Sequence, residues 1–370
     1  MTVKLWISGA RPKTLTTSLS SVAVGACCAY PVIVGDLNCA QTRSDTSQCA
    51  AVTADAQAMM SRFWLVTLLC VCVGVLLQIA VNYANDYSDG IRGVDEGRGG
   101  SEKKTKKPMR LTASGLVPAK HVLVAAVVSA LLACVCGLVA VVLSQAWWLL
   151  LVGVLCLLAG WFYTGGKHPY GYAGFGELSV FLFFGLAAVL GTQYALSGSV
   201  SVLGVLCAVV AGLLSCQILM VNNLRDINED RRHGKRTLAV RMGERGARVM
   251  LGVCCVVAWA IGVWVVMLLW TPWGGILMLS GIGVPWRMVT STGRKEFRKA
   301  LSDACFQPPF FAVILLIAAL LALWEASARL GWVNSSNWPP VSGVALAFVK
   351  GWGSGELLTL TASTLRRMAL

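Results

Sequence analysis

The sequence is short of charge: 13% of its 370 residues are Asp, Glu, Lys or Arg, while 56% are hydrophobic and the mean hydropathy is +0.70. A soluble domain carries about 25% charged residues, so that class is excluded and a protein with several membrane spans is implied. Acidic residues are the scarcest, 17 against 31 basic, for a formal net charge of +14. In a soluble protein that surplus would point to nucleic acid; here the Lys and Arg residues lie between apolar runs, where they set topology, and no nucleic-acid partner is expected. There are 3 histidines, and His168 has no His or Cys at ligand spacing, which argues against a metal role for it. The 14 cysteines include no Cys-x-x-Cys pair and most lie inside apolar runs; Cys39 and Cys49, in the polar stretch Gly35 to Arg62, are the exceptions. No cleavable signal peptide is expected, since Met1 to Leu15 has no small-residue cleavage site after a short apolar core.

What the chain has is apolar length. Runs near the roughly 20 residues that a bilayer requires predict spans at about Thr16–Val34, Phe63–Val81, His121–Val142, Ala146–Tyr163, Gly176–Leu196, Val200–Val221, Val249–Leu269, Trp273–Val289 and Pro308–Leu323. The expected fold is an all-α bundle of nine transmembrane helices, with the eighth short and interrupted by Pro285. Basic residues cluster after the second span (Arg92, Arg98, Lys103 to Lys107, Arg110, Lys120), after the sixth (Arg225 to Arg245) and after the eighth (Arg294, Lys295, Arg298, Lys299). The links at Ser144-Gln145, Ser197-Gly198-Ser199 and Thr271-Pro272 carry no charge. This asymmetry predicts a multi-pass protein of the cell membrane with the basic loops and the N-terminus in the cytoplasm. The Gly35 to Arg62 stretch then faces outward, where Cys39 and Cys49 can meet oxidising conditions and close a disulfide.

Against that sparse charge two polar stripes stand out. Asn82, Asn85 or Asp86, and Asp89 fall at i, i+3/i+4 and i+7 on one helical face at the end of the second span; Asn222, Asp226 and Asp230 repeat the device at the end of the sixth. Carboxylates with carboxamides make an oxygen-only ligand set suited to magnesium. Facing one another on the cytoplasmic side, the stripes could hold a magnesium-bound diphosphate. Asp86, Asp89, Asp226 and Asp230 are the candidate metal ligands, with Asn85, Asn82 and Asn222 as neutral oxygen ligands or in support. Each stripe leads through a basic loop to a similar patch, Met109-Arg110-Leu111-Thr112 and Lys235-Arg236-Thr237-Leu238, which suggests a loose internal duplication.

Ionising a diphosphate ester takes cations besides the metal, and Arg110, Lys235 and Arg236 are the candidates. Lys103 to Lys107 can be read that way or as loop charges on lipid headgroups. The Gly- and Tyr-rich run from Tyr163 to Tyr172 can approach a ligand closely and stack on an aromatic acceptor, or it can be a turn with interfacial aromatics.

These segments resemble the intramembrane aromatic prenyltransferases of the UbiA superfamily, and among them the branch acting on 1,4-dihydroxy-2-naphthoate. The resemblance is carried by Ala10-Arg11-Pro12-Lys13-Thr14-Leu15, Asn85 to Asp95, Tyr163 to Tyr172, and Asn222-Asn223-Leu224-Arg225-Asp226 with Gly234 to Val240, and it runs from about Lys4 to Leu323. It implies a nine-helix bundle with two Asp-rich motifs on facing helices. It also implies magnesium (Mg2+)-dependent transfer of a polyprenyl group from polyprenyl diphosphate to 1,4-dihydroxy-2-naphthoate, with loss of the ring carboxylate, giving demethylmenaquinone. In that reading the four aspartates bind metal and Arg110, Lys235 and Arg236 draw off diphosphate charge. Tyr163 lines the substrate, and Arg11 and Lys167 are candidates for the acceptor carboxylate. The prenyl chain would lie in a groove open to the lipid bilayer. The chain departs from the pattern in its long polar Gly35 to Arg62 stretch and in Lys167-His168, where Pro and then a basic residue are expected.

Two other functions fit the composition. A transporter of an anionic substrate would use the basic loops as an entry funnel, but it needs ionisable residues midway through spans, and the middles here are Leu, Val, Ala, Gly and Cys. A related enzyme would prenylate another aromatic acceptor, such as 4-hydroxybenzoate or a chlorophyllide, by the same metal chemistry. The chain divides into residues 1–323, which carry the motifs, and a tail, 324–370. In the tail, Trp324-Glu325, Arg329 to Asn334, Gly353 to Leu357 and Ser363 to Arg367 resemble the opening of an ABC-transporter permease of the nitrate, sulfonate or taurine type, so the tail can be read as a fused remnant or as an amphipathic segment on the membrane surface.

Overall fold

In lipid every backbone N–H and C=O must be satisfied within the protein, and a helix does this within one segment. A computed structural model accordingly places almost all of the apolar sequence in helices. It describes residues 3–37, 46–94, 110–269, 274–329 and 338–368; Cys39, Asp95, Arg98 and Lys103 to Lys107 lie outside the described residues. In order come α1 (Val3–Gly9), α2 (Pro12–Leu37), α3 (Thr46–Ile91), α4 (Ala119–Ser144), α5 (Leu149–Thr164), α6 (Gly176–Ser197), α7 (Val202–Arg232) and α8 (Leu238–Leu269). The short α9 (Gly274–Leu279) and α10 (Gly283–Gly293), the long α11 (Phe297–Arg329), and the tail helices α12 (Val341–Gly353) and α13 (Glu356–Met368) follow. Seven of these, α2, α3, α4, α6, α7, α8 and α11, are long and apolar enough to cross a membrane. The protein is an all-helical, multi-pass membrane protein.

Three expected boundaries move. Where the fourth span is expected lies the 16-residue α5, shorter than the seven long helices. The eighth is not continuous: the chain turns at Ser280, Gly281 and Ile282 between α9 and α10, and a Cβ on Gly281 would come within 2.5 Å of the Phe310 ring. Pro285 is accommodated in the first turn of α10, where its missing N–H leaves no helical bond unmade. The polar stretch before the second span is largely helix, so α3 runs unbroken for 46 residues, about 69 Å at 1.5 Å per residue. Residues 46–62 are polar but contain neither Gly nor Pro and are rich in Ala, Gln and Met, all good helix formers. Ala56 and Phe63 pack with Ala29 and Ile33 of α2 and Leu196 of α6. Cys49 is disulfide-bonded, whereas twelve other cysteines are free.

The centre of the bundle is α2, which packs against α3, α6, α7 and α11. Its buried hydroxyls are satisfied within the helix, Ser20 Oγ donating to the Thr16 carbonyl at 2.6 Å and Ser21 Oγ to that of Thr17 at 3.1 Å. Around it lie Val189 of α6, Ala208 and Leu214 of α7, Trp259 and Val265 of α8, and Phe311 and Leu315 of α11. Between α6 and α7 the backbones come close: a Cβ on Gly185 would lie 2.6 Å from Gly212 Cα, and around that contact α6 widens into a π-helical stretch, Phe181–Ala187.

One end of the bundle gathers the last turns of α3 and α7 and the first turn of α6. At the opposite end Arg62 donates to the Leu143 carbonyl at 2.6 Å. The tail docks where α11 finishes, with Glu325 accepting from Ser342 N at 2.9 Å and Trp338 Nε1 donating to Ser327 Oγ at 3.0 Å.

The Gly185 contact is with backbone atoms that cannot step aside. Gly185→Val should cost at least the overpacking penalty of about 1–3 kcal/mol and lower the melting temperature in detergent. Gly153→Val, where a Cβ meets nothing within 4 Å, should leave it nearly unchanged; equal behaviour of the two variants would disprove the close approach of α6 and α7.

Candidate functional site

Buried acid in this bundle is sorted to one end. Among the described residues the buried carboxylates are Asp86, Asp89, Glu177, Asp226 and Asp230. All five belong to the last turns of α3 and α7 or the first turn of α6, and none stands at mid-span, where a transport path would need it.

Asp89 is the meeting point. Tyr172, in the 3-10 turn Tyr170–Ala173 between α5 and α6, donates its hydroxyl to Asp89 Oδ1. Lys235, just after α7, brings Nζ to 3.5 Å from both carboxylate oxygens. The same Nζ stands 4.4 Å from the Tyr172 ring centroid and the Arg92 guanidinium 5.5 Å from it, a cation on each count over an aromatic face. Backbone bonds fix the arrangement: Arg236 N donates to the Tyr172 carbonyl at 2.8 Å, and Arg92 donates to the carbonyls of Thr164, at 2.7 Å, and Gly166. The turn can form because Gly174 adopts φ +87°, a left-handed conformation costly for other residues. Burial first, and then the negative charge of Asp89, push the Tyr172 phenol above its ordinary value, so it remains a proton donor.

The other stripe residues take different partners. Asn85 accepts from Thr164 Oγ1 at 2.7 Å, at the edge of the same site. Asn82, expected to support substrate, turns to the α1–α2 junction instead, donating to the Ala10 carbonyl at 2.8 Å and to Thr14 Oγ1 at 3.2 Å; it thereby steadies the chain at Arg11, which has φ +54°. Asp86 accepts from the backbone N–H groups of Leu111 and Thr112, each at 2.9 Å. On α7, Asn222 donates to the Ile218 carbonyl of its own helix at 3.0 Å, and Asp226 receives both Nε and a terminal nitrogen of Arg225 at 2.9 and 2.8 Å. Asp230 is 8% exposed. Arg110 is half-buried, Arg236 and Lys167 are exposed, and Tyr163 packs edge-on against Tyr170, centroids 5.6 Å apart.

The sequence motifs do not single out Glu177, though an acid opening an apolar span is a signal. It is 6% exposed, its Oε1 accepts from Asn223 Nδ2 at 2.8 Å, and Oε2 has no hydrogen-bond partner.

Asp89, Lys235, Tyr172 and Asn85 are thus brought together, with Asp226 and Asp230 at the same end. No three Asp, Glu, His or Cys side chains converge on one point among the described residues. The donors are all oxygen, which fits a hard divalent cation completed by oxygens of the ligand it arrives with. Asp89 and Asp226 each already hold a cationic side chain, Lys235 and Arg225.

Residues 49–311 match the UbiA prenyltransferase family. The chain is 44% identical over 268 residues to the 1,4-dihydroxy-2-naphthoate octaprenyltransferase of Mycobacterium tuberculosis, covering 72% of this chain and 79% of that one. It is 34% identical over 248 residues to the protein of the same name from Escherichia coli, covering 66% and 70%. Among solved structures, the UbiA homolog from Aeropyrum pernix K1 superposes with a TM-score of 0.56 at 17% identity, over 83% of this chain and 98% of that one.

Because the bond from Tyr172 to Asp89 needs the phenolic proton, its stabilising effect is complete below the unfolded phenol value, about 10, and is lost as pH rises through the higher folded value. The gap in melting temperature between wild type and Tyr172→Phe should therefore stay constant from neutrality to about pH 9. A gap that closed below about pH 8 would mean that another group governs the contact.

Proposed function

The chain belongs to the UbiA prenyltransferase family, and on that premise we propose that it transfers a polyprenyl group from polyprenyl diphosphate to 1,4-dihydroxy-2-naphthoate, in menaquinone biosynthesis. The observation that carries the reading is buried Asp89, joined to Lys235 and Tyr172 at the same bundle end as Asp226 and Asp230. The naphthoate acceptor is favoured over 4-hydroxybenzoate by the relatives' names.

In this proposal Asp89, Asp226 and Asp230, with the Asn85 carboxamide, hold magnesium. The metal, bound with the diphosphate, supplies charge neutralisation at the leaving group. Lys235 and Arg225 then exchange a carboxylate for a phosphate oxygen, so neither the acids nor the bases are left unpaired. Arg110 and Arg236 take up further charge as the allylic carbon–oxygen bond breaks and its electron pair leaves with the diphosphate. The Tyr163 and Tyr172 rings offer faces to the allylic cation. The electron-rich naphthoate ring forms the new carbon–carbon bond and its carboxylate leaves as carbon dioxide. Arg11 and Lys167 are proposed for that carboxylate before it leaves, Lys167 from the exposed rim.

For topology, we propose nine crossings, α5 and the broken α9–α10 pair adding two to the seven long helices, with the acidic end in the cytoplasm. Arg92, Arg110 and Lys235 lie at that end, and the disulfide-bonded Cys49 lies toward the other.

Membranes containing the protein, supplied with magnesium and a labelled prenyl diphosphate, should prenylate naphthoate and not 4-hydroxybenzoate, and chelation should stop the reaction. Asp226→Ala should lose more than about a hundredfold; activity within a few-fold of wild type would refute its place in the metal site.

We also propose that residues 1–323 suffice for the chemistry, since the tail docks on the end of α11 away from Asp89. A chain ending at Ser327 should insert and prenylate normally. A truncated protein that inserts but no longer turns over would assign the tail to the catalytic unit.

A further inference from the structure

The run from Asn85 to Asp89 contains two acids one turn apart, and the structure gives them different work. Asp89 is held by the side chains of Lys235 and Tyr172, whereas the hydrogen bonds to Asp86 come from backbone: Oδ2 accepts from Leu111 N and Oδ1 from Thr112 N, both at 2.9 Å. A carboxylate that takes two consecutive N–H groups, one on each oxygen, is fixed in orientation as well as in place. Asp86 and Leu111 are each 1% exposed, and Leu111 packs with Tyr83, Ala84 and Val117. Helix and loop also touch at Gly90, where an added Cβ would collide with the Thr112 side chain. The loop itself is tightly wound, with Ser114 N bonded to the Arg110 carbonyl at 3.0 Å and Gly115 N to that of Thr112 at 3.1 Å, Gly115 having φ +67°. Arg110 opens this loop, one residue before the clamp, so the clamp fixes the backbone from which its side chain extends.

We propose that Asp86 is a positioning residue and not a magnesium ligand: it clamps the loop after α3 to the end of that helix and so aims Arg110 at the diphosphate. The inference rests on the reading of this end as a diphosphate site. It assigns the two acids of one motif to separate tasks, Asp89 to the metal and Asp86 to the loop. Both Asp86 oxygens keep a further lone pair, but each is already directed at a buried backbone donor whose desertion would leave that donor unsatisfied.

The test compares Asp86→Asn, Asp89→Asn and Arg110→Ala. In Asp86→Asn the amide NH2 would oppose one backbone N–H and loosen the loop. It should raise the KM for prenyl diphosphate by about tenfold or more while the magnesium concentration for half-maximal rate stays as in wild type. Asp89→Asn should move the magnesium dependence. Arg110→Ala should reproduce the KM effect, and adding Asp86→Asn to it should cost little more, since the two act as one unit. Independently of activity, trypsin should cut after Arg110 faster in Asp86→Asn than in wild type or Asp89→Asn. A magnesium dependence displaced in Asp86→Asn as in Asp89→Asn, or unchanged cleavage after Arg110, would overturn the proposal. Faster cleavage in Asp86→Asn with full activity in both Asp89→Asn and Arg110→Ala would keep the clamp and refute the diphosphate reading.

Discussion

Burial of the Asp89 carboxylate is the constraint on which the acidic end depends. A charge taken out of water costs several kcal/mol unless it is paired and hydrogen-bonded, and Asp89 is 7% exposed. Its partners come from the turn after α5 and from the segment after α7. Three parts of the chain must therefore arrive together before the end of α3 can be covered. The apolar packing around α2 supplies most of the buried surface, but it is indifferent to the exact height of one helix against another. Directional bonds at Asp89, with Arg92 on the Thr164 carbonyl, remove that freedom at the acidic end.

How far the molecule is legible in its sequence follows from how local each determinant is. Apolar length belongs to one segment, so the seven long helices can be read directly. The motifs that hold Asn85 with Asp89, and Asp226 with Asp230, are likewise contained in single helices, which is why the family shows. Polarity misleads for residues 46–62, because a polar surface helix and a polar loop share composition, and the difference lies in the missing Gly and Pro. Partners distant in sequence are illegible. Tyr172 reaches Asp89 across 83 positions and Asp86 meets its loop across 25. Helical periodicity places Asn82, Asp86 and Asp89 on one stripe, but it cannot say that the stripe spans three environments: the α1–α2 junction, a backbone loop and a charged site.

The pairing already present also bears on how such a site accepts a highly charged ligand. Lys235 on Asp89 and Arg225 on Asp226 keep the acids neutralised, so the end of the bundle need not hold bare carboxylates against one another. A cation and an anion arriving together can be exchanged for the internal pairs with little net change in local charge. Such an exchange is more favourable in a low-dielectric setting than adding either ion alone.

The π-helical stretch Phe181–Ala187 gives α6 a property that its composition does not reveal. It lies between two anchored faces: Glu177 is tied to Asn223 on one side, and Gln193 donates to Ser201 Oγ at 2.8 Å on the other. Each residue of an α-helix advances the rotation by about 100°, and a π turn absorbs more residues than an α turn. The stretch therefore works as a phase adjuster between the core and the acidic end. A π turn takes up its surplus residue without turning the α-helical segments on either side out of phase, so loss of one residue here can return the stretch to α-helix with Glu177 and Gln193 still facing their partners. Natural variation should thus tolerate the loss of one residue inside this stretch, whereas a deletion in the α-helical parts of α6 turns one end against the other by about 100°.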